Sequence, residues 1–457
     1  MKRALAALLV LTLAAAAGAF VWQAADRERK YRGLLSQGDA AVRDGQTFGA
    51  IENYSGAIVL RPDSMQAHLR RGQAYRQRGE FEAAARDFRT AADFDPSAPR
   101  PLEALGDVLY QRGRFAHAAE AYQARLDLDE RSVETWYKLA LTRYREGLID
   151  AALEALAQTV RLNDSFPEAY YVMGVCQREK GRSADALRSF EKAVALSYGL
   201  IPAREELAEL YPSLGRSADA LEQLQVIALL DRAHVERQVA LGLAQARSGH
   251  GELAVLTLGA ALERTPDQPM VYGALGRVWL DMADTRADAL SKALDALERV
   301  ASTPTASSEM LMLYGRALLK AGRPDEAEKV LQDATARFPV DPDAYVAYAD
   351  IAEQRNHAAP ARTALIAYGA IVTSEPDFAT RASRIGRLSL HLDDPAAAVA
   401  WLQRAANAGP GNVSVLVSLA DAQLRSGDRA GARTTIATAL DKEPENPTLL
   451  ELARKAR

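Results

Sequence analysis

Alanine recurs at Ala50, Ala84, Ala118, Ala152, Ala186, Ala220 and Ala254, each 34 residues after the last. A fixed period of this length marks a chain built from one supersecondary unit copied end to end, each copy burying its apolar face only against its neighbours. Twelve residues before each alanine stands Gly38, Gly72, Gly106, Ala140, Gly174, Ala208 or Gly242. Side chains this small let two helices cross closely. Four residues after each alanine comes Tyr54, Phe88, Tyr122, Leu156, Phe190, Leu224 or Leu258, one helical turn on and therefore on the same buried face. The predicted unit is a helix–turn–helix hairpin.

Proline keeps the same time at the unit boundaries, with Pro62, Pro96 and Pro266 in phase. It lacks an N–H and stops a helix from continuing, which is what a boundary requires. Beyond residue 269 the marks return with two slips, at Ala293, Ala327, Ala364, Ala398 and Ala432 and at Pro339, Pro376, Pro410 and Pro444. Twelve units result, with five extra residues in the eighth and three in the tenth. Residues 1–30 form an N-terminal segment and flank, 31–268 seven regular units, 269–446 five units with short insertions, and 447–457 a capping helix. Leu449, Leu450 and Leu452 of that cap are expected to lie on the last unit, with Arg454, Lys455 and Arg457 in its closing turn, where cations suit the helix dipole. Pro212 is expected to shorten the first helix of the sixth unit or to let the array flex there.

The second unit carries Gly72, Tyr75, Ala84, Phe88, Ala91 and Pro96; the fourth adds Trp136 and Leu139, and the eighth Leu275-Gly276. In these columns the chain resembles the tetratricopeptide repeat family over residues 31 to 446. The resemblance implies an all-α, right-handed superhelical solenoid whose first helices line a concave face, with unit positions 2, 5, 9, 12 and 13 pointing into it. It further implies binding of proteins or peptides. The best-known binding mode of the family grips a terminal carboxylate with lysines and asparagines; the asparagine positions here hold Asp39, Gln73 and Asp107, so that mode is not expected.

At 48% hydrophobic and 25% charged residues, the composition suits an ordered helical chain rather than a disordered one. Ala4 to Trp22, after Lys2 and Arg3, is a 19-residue run with Thr12 as its only polar side chain. At about 1.5 Å per residue it spans roughly 28 Å, close to a bilayer core of about 30 Å. Two readings stand: a retained membrane anchor ending at Trp22, or a cleavable secretory signal ending at Ala17-Gly18-Ala19. Lys2 and Arg3 favour an exported, extracytoplasmic array, whereas Arg27, Arg29, Lys30 and Arg32 on the other flank pull the other way. The exported orientation is expected.

Cys176 is the sole cysteine, so no disulfide forms within the chain, and a small buried hydrophobe is its expected role. With Lys2 and Arg3 set aside, 54 basic residues face 60 acidic ones, the wrong sign for nucleic acid. No HExxH pair, no Gly-Lys phosphate loop and no Gly-x-Ser-x-Gly elbow occurs. Gly249-His250-Gly251 is read as a turn within the seventh unit, and Asp127-x-Asp129 as a solvated helix end. No catalytic, metal or cofactor residue is expected.

Tyr110, Tyr137, Leu141, Tyr144, Arg145, Tyr171, Val175 and Arg178 occupy the groove-facing positions of units three to five. Tyrosine with arginine is the composition of binding hot spots. The competing reading is that the tyrosines pack between units, Tyr144 above all. Arg145 and Arg178 are expected to set adjacent cationic heads beside the aromatic strip, suited to a ligand with acidic or carbonyl groups. The expected function is a non-catalytic, membrane-tethered scaffold for protein or peptide partners; the alternative is an accessory subunit handling polysaccharide or another polymer in envelope export.

Overall fold

Small side chains at every helix crossing dictate hairpins, and hairpins are what the computed structural model contains. It describes residues 2–372 and 376–457, without the side chains of residues 2–10, 12 and 14. The described chain is helical with no strand, and it divides into two compact units, 1–223 and 224–457. The helices run α1 (Lys2–Arg43), α2 (Thr47–Leu60), α3 (Met65–Gln77), α4 (Phe81–Phe94), α5 (Pro99–Gln111), α6 (Phe115–Leu128), α7 (Val133–Arg145), α8 (Ile149–Leu162), α9 (Pro167–Glu179), α10 (Ser183–Leu196), α11 (Ile201–Ser213) and α12 (Ser217–Leu230). There follow α13 (Val235–Arg247), α14 (Gly251–Arg264), α15 (Pro269–Asp281), α16 (Ala289–Ala301), α17 (Ser308–Lys320), α18 (Pro324–Thr335), α19 (Pro342–Gln354), α20 (Ala358–Ile371), α21 (Phe378–His391), α22 (Pro395–Ala408), α23 (Val413–Arg425), α24 (Arg429–Leu440) and the cap α25 (Pro447–Lys455). Leu449 and Leu452 of α25 are buried as expected, whereas Leu450 is exposed.

The crossing alanines are excluded from solvent, Ala50, Ala84, Ala118 and Ala432 completely. Opposite them glycine and the large residue of the second helix are fitted to each other. A methyl group placed on Gly72 would stand 2.7 Å from Cε1 of Phe88, and one on Gly174 2.5 Å from Cε1 of Phe190. Where the small residue is alanine, its partner is aliphatic: Ala140 shares a core with Leu156, Ala349 with Leu365 and Ala420 with Ile436.

Within eleven of the twelve hairpins, all but the eighth, the chain turns through a left-handed residue at one fixed position. Nine units place glycine there, from Gly45 (φ 72°) to Gly427 (φ 86°), and two use Asn356 (φ 61°) and Asp393 (φ 55°), the residues that tolerate this conformation best after glycine. Gly249 is one of the nine, so Gly249-His250-Gly251 is a turn, as expected.

The structure departs from the expected pattern in the register of the tenth unit and in the effect of Pro212. Ala361, not Ala364, is the crossing alanine of the tenth unit: it lies three residues into α20, as Ala327 does in α18 and Ala398 in α22, and is completely buried. The three extra residues therefore fall after α20, in the connection 372–377, part of which lies outside the described residues. The five extra residues of the eighth unit lengthen the turn 282–288 between α15 and α16. Pro212 does not shorten α11, which keeps the 13 residues of α5, α7 and α9. It stands in the last turn, and its carbonyl accepts from the Gly215 N–H at 3.1 Å.

The N-terminal run belongs to α1, a 42-residue helix whose second half, with Tyr31, Leu35 and Ala41 buried, is the first helix of the first unit. Among the described residues no helix is long and apolar enough to cross a membrane. Side chains 4–10, 12 and 14 of the Ala4–Trp22 run lie outside the described residues.

Candidate functional site

First helices of successive units touch one another, α3 with α5, α7 with α9, α15 with α17 and α17 with α19, and second helices make no comparable contact among the described residues. The first helices therefore form the inner row of each compact unit. Polar contacts tie this row together. Arg70 on α3 bonds Asp39 on α1 at 2.5 Å, Arg76 on α3 lies 3.8 Å from Asp107 on α5, and Lys138 on α7 reaches Glu103 at 2.7 Å and Asp107 at 2.9 Å. Tyr144 on α7 donates to Glu179 on α9 at 2.6 Å, and Arg178 on α9 pairs with Glu206 on α11 and stands 3.6 Å from Glu209. The second compact unit repeats the device with Arg277 and Glu309, and with Arg384 between Asp350 and Glu353.

Three of the four predicted tyrosines are brought together. Tyr110 on α5 and Tyr171 on α9 both act on the phenol of Tyr137 on α7. Burial first, then Glu168 and those two tyrosines, push Tyr137 up to about 12. Each ring also has a packing partner. Tyr110 meets Phe115 edge-on at 5.4 Å between centroids, Tyr137 meets Phe166 edge-on at 4.9 Å, and Tyr171 meets Phe190 at 6.0 Å. All three are half-buried at the margin of the apolar cores, one flank inward and the other open. Leu141 and Val175 fill the same row between them.

Tyr144 stands apart from this trio. Its hydroxyl is committed to Glu179, and that bond, followed by burial, pushes it up to about 12. Arg145 is exposed at the end of α7, but Arg178 is held by α11, so the two do not form a pair of open cationic heads. The reason is local. In α11 two turns of sequence contribute Glu205, Glu206 and Glu209, and the closest of these capture the neighbouring guanidinium.

Sequence reasoning missed a buried polar cluster in the second unit. Asp87 accepts two bonds from Arg71, at 2.7 and 2.8 Å, and one ring nitrogen of His68 lies 3.1 Å from it. Arg71 goes on to Ser55 of the first unit at 3.1 Å. The signal was His68 and Arg71 standing in columns where the fourth unit carries Trp136 and Leu139. Cys176 is fully buried, and burial pushes its thiol up to about 11, which suits a packing role. Asp127 and Asp129 end α6 and are engaged by Gln123 and Arg125, and among the described residues no group of three or more His, Cys, Asp or Glu side chains is placed to hold a metal.

Family models described as tetratricopeptide repeat match residues 35–99, 137–199, 308–351 and 389–456, and one described as TPR repeat matches 106–147. Cellulose synthase operon protein C of Pseudomonas fluorescens is 24% identical over 232 residues, 48% of this chain and only 18% of that protein. Among solved structures, a tetratricopeptide repeat protein from Parabacteroides merdae is 17% identical, covering 55% of this chain and 99% of its own, with a TM-score of 0.41. YrrB, described as a TPR protein with an unusual peptide-binding site, is 21% identical, covering 42% of this chain and 98% of its own, with a TM-score of 0.36.

Proposed function

Because this chain belongs to the tetratricopeptide repeat family, we propose that it is a non-catalytic scaffold that binds a protein or peptide partner along the inner row of first helices in units three to five. The observation that carries this reading is the trio Tyr110, Tyr137 and Tyr171 on the successive first helices α5, α7 and α9, each ring packed on a phenylalanine and each residue only half-buried. Packed on one side, a tyrosine has little rotamer freedom left to lose, so its open flank offers contact area at low entropic cost. The array is tethered to, or exported through, a membrane by residues 4–22 and lies outside the cytoplasm.

A second reading, handling of a polysaccharide or another polymer, is favoured by the partial likeness to the cellulose synthase operon protein, since tyrosine rings also stack on sugars. One capture experiment separates the two. The tagged full chain retains a protein partner from envelope extract after polysaccharide-degrading treatment, and Tyr137→Leu with Tyr171→Leu, which keeps bulk in the core, lowers retention at least about tenfold. Retention abolished by the treatment favours the polymer, and retention unaffected by the two substitutions removes the site from this face. An export-dependent reporter fused to the C-terminus tests the orientation; an inactive reporter on intact protein reverses it.

A further inference from the structure

We propose that the occupant of this inner face is an extended, basic polypeptide segment whose lysine or arginine side chains lie on the tyrosine strip and reach the carboxylates of α9 and α11. The inference rests on the binding role of the face and reverses the ligand charge expected from sequence.

The reversal comes from where the cations are spent. Lys138 is used by Glu103 and Asp107, Arg143 by Glu146 at 3.0 Å, and Arg178 by Glu206 with Glu209 beyond it. Each pair cancels its own charge and leaves the surplus to decide the sign of the face. On α9 and α11 that surplus is acidic: with Arg178 spent on Glu206, the carboxylates of Glu168, Glu179 and Glu209 remain. Arg204 does not count toward the face, being buried and turned to Gln223 at 2.6 Å and the Tyr198 carbonyl at 2.9 Å. Glu168 is exposed next to Tyr137, and the Glu209 side chain is 76% exposed. Among the cations of α7, α9 and α11, Arg145, in the last turn of α7, is the one exposed residue.

The aromatic strip and the acidic block are two independent features that agree on one chemistry. A ring face is electron-rich and attracts a cation lying over it, and a carboxylate two or three residues along the segment completes the contact. An anionic segment meets repulsion from α9 and α11, and a neutral one gains only ring contact. Tyr137 and Tyr171 hold the same position in successive units, so an extended chain crossing from α7 to α9 presents alternate side chains to them.

The test uses the full chain and two fluorescein-labelled peptides, one alternating lysine with alanine and the other glutamate with alanine, read by anisotropy. The lysine peptide binds, loses affinity as salt rises, and loses about tenfold on Glu168→Gln with Glu209→Gln. The matched change on second helices, Glu120→Gln with Glu154→Gln, leaves binding unchanged. Tighter binding of the glutamate peptide, or equal loss from both pairs of substitutions, overturns the inference. If the native partner is still captured through Tyr137 and Tyr171 while the lysine peptide does not bind, the charge assignment fails and the face stands. If the tyrosine substitutions affect neither ligand, the face itself fails.

Discussion

A single methyl group decides what may stand across each hairpin. A Cβ on Gly72 would stand 2.7 Å from the ring of Phe88, and where the chain uses alanine instead it sets leucine or isoleucine opposite. In an exposed helix Gly→Ala gains about 1 kcal/mol. Here Gly72→Ala costs about 1–3 kcal/mol, because overpacking outweighs propensity. Adding Phe88→Leu restores part of the loss, and a double-mutant cycle by urea unfolding, read by a probe in the second unit, shows the coupling. Additive effects would mean the ring has room to move. The phenol of Tyr137 belongs to the same scale. Burial pushes it from 10.0, the ordinary value, up to about 12, so the fold favours the neutral form. That share of stability is whole below pH 10 and is lost as pH rises through 12. Ultraviolet absorbance titration places its ionisation, and Tyr137→Phe reduces the alkaline loss of stability.

At the scale of the element, the left-handed turn residue explains why hairpins end where they do. Gly147 (φ 77°) allows the chain to leave α7, and its substitution by alanine costs about 1 kcal/mol in the melting of that unit, whereas asparagine costs less, as Asn356 illustrates. Equal losses would place the strain elsewhere. The turn column also sets the register of the tenth unit. The segment Ala358 to Ala370 carries alanine at 358, 359, 361, 364, 367 and 370, so spacing alone offers several registers. Asn356 at the turn fixes α20 to begin at Ala358, which selects Ala361. The inner row is bound by ion pairs that are mostly part-exposed, each worth about 1 kcal/mol or less, so they align first helices more than they stabilise them.

Over the whole molecule, stability is the sum of neighbouring contacts rather than the property of one core, as the succession of separate apolar clusters shows. Ala84→Leu or Ala254→Leu forces bulk into a fully buried crossing and costs about 1–3 kcal/mol. Hydrogen exchange around the altered unit rises first, with distant units keeping their protection. Uniform loss along the chain would show a single cooperative domain.

The sequence alone determined the hairpin, its period and nearly all of its register, because small, large and boundary residues recur in fixed columns and each column has one steric meaning. It also set Tyr137 and Tyr171 in line, since equal positions in successive units recur on the same side of their helices. The sign of that face was decided only in the tertiary structure. Arg178 and Glu206 are 28 residues apart on different helices, and their pairing depends on how α9 and α11 approach. A sequence column records which charge is present; only the folded neighbours show whether that charge remains available to a ligand.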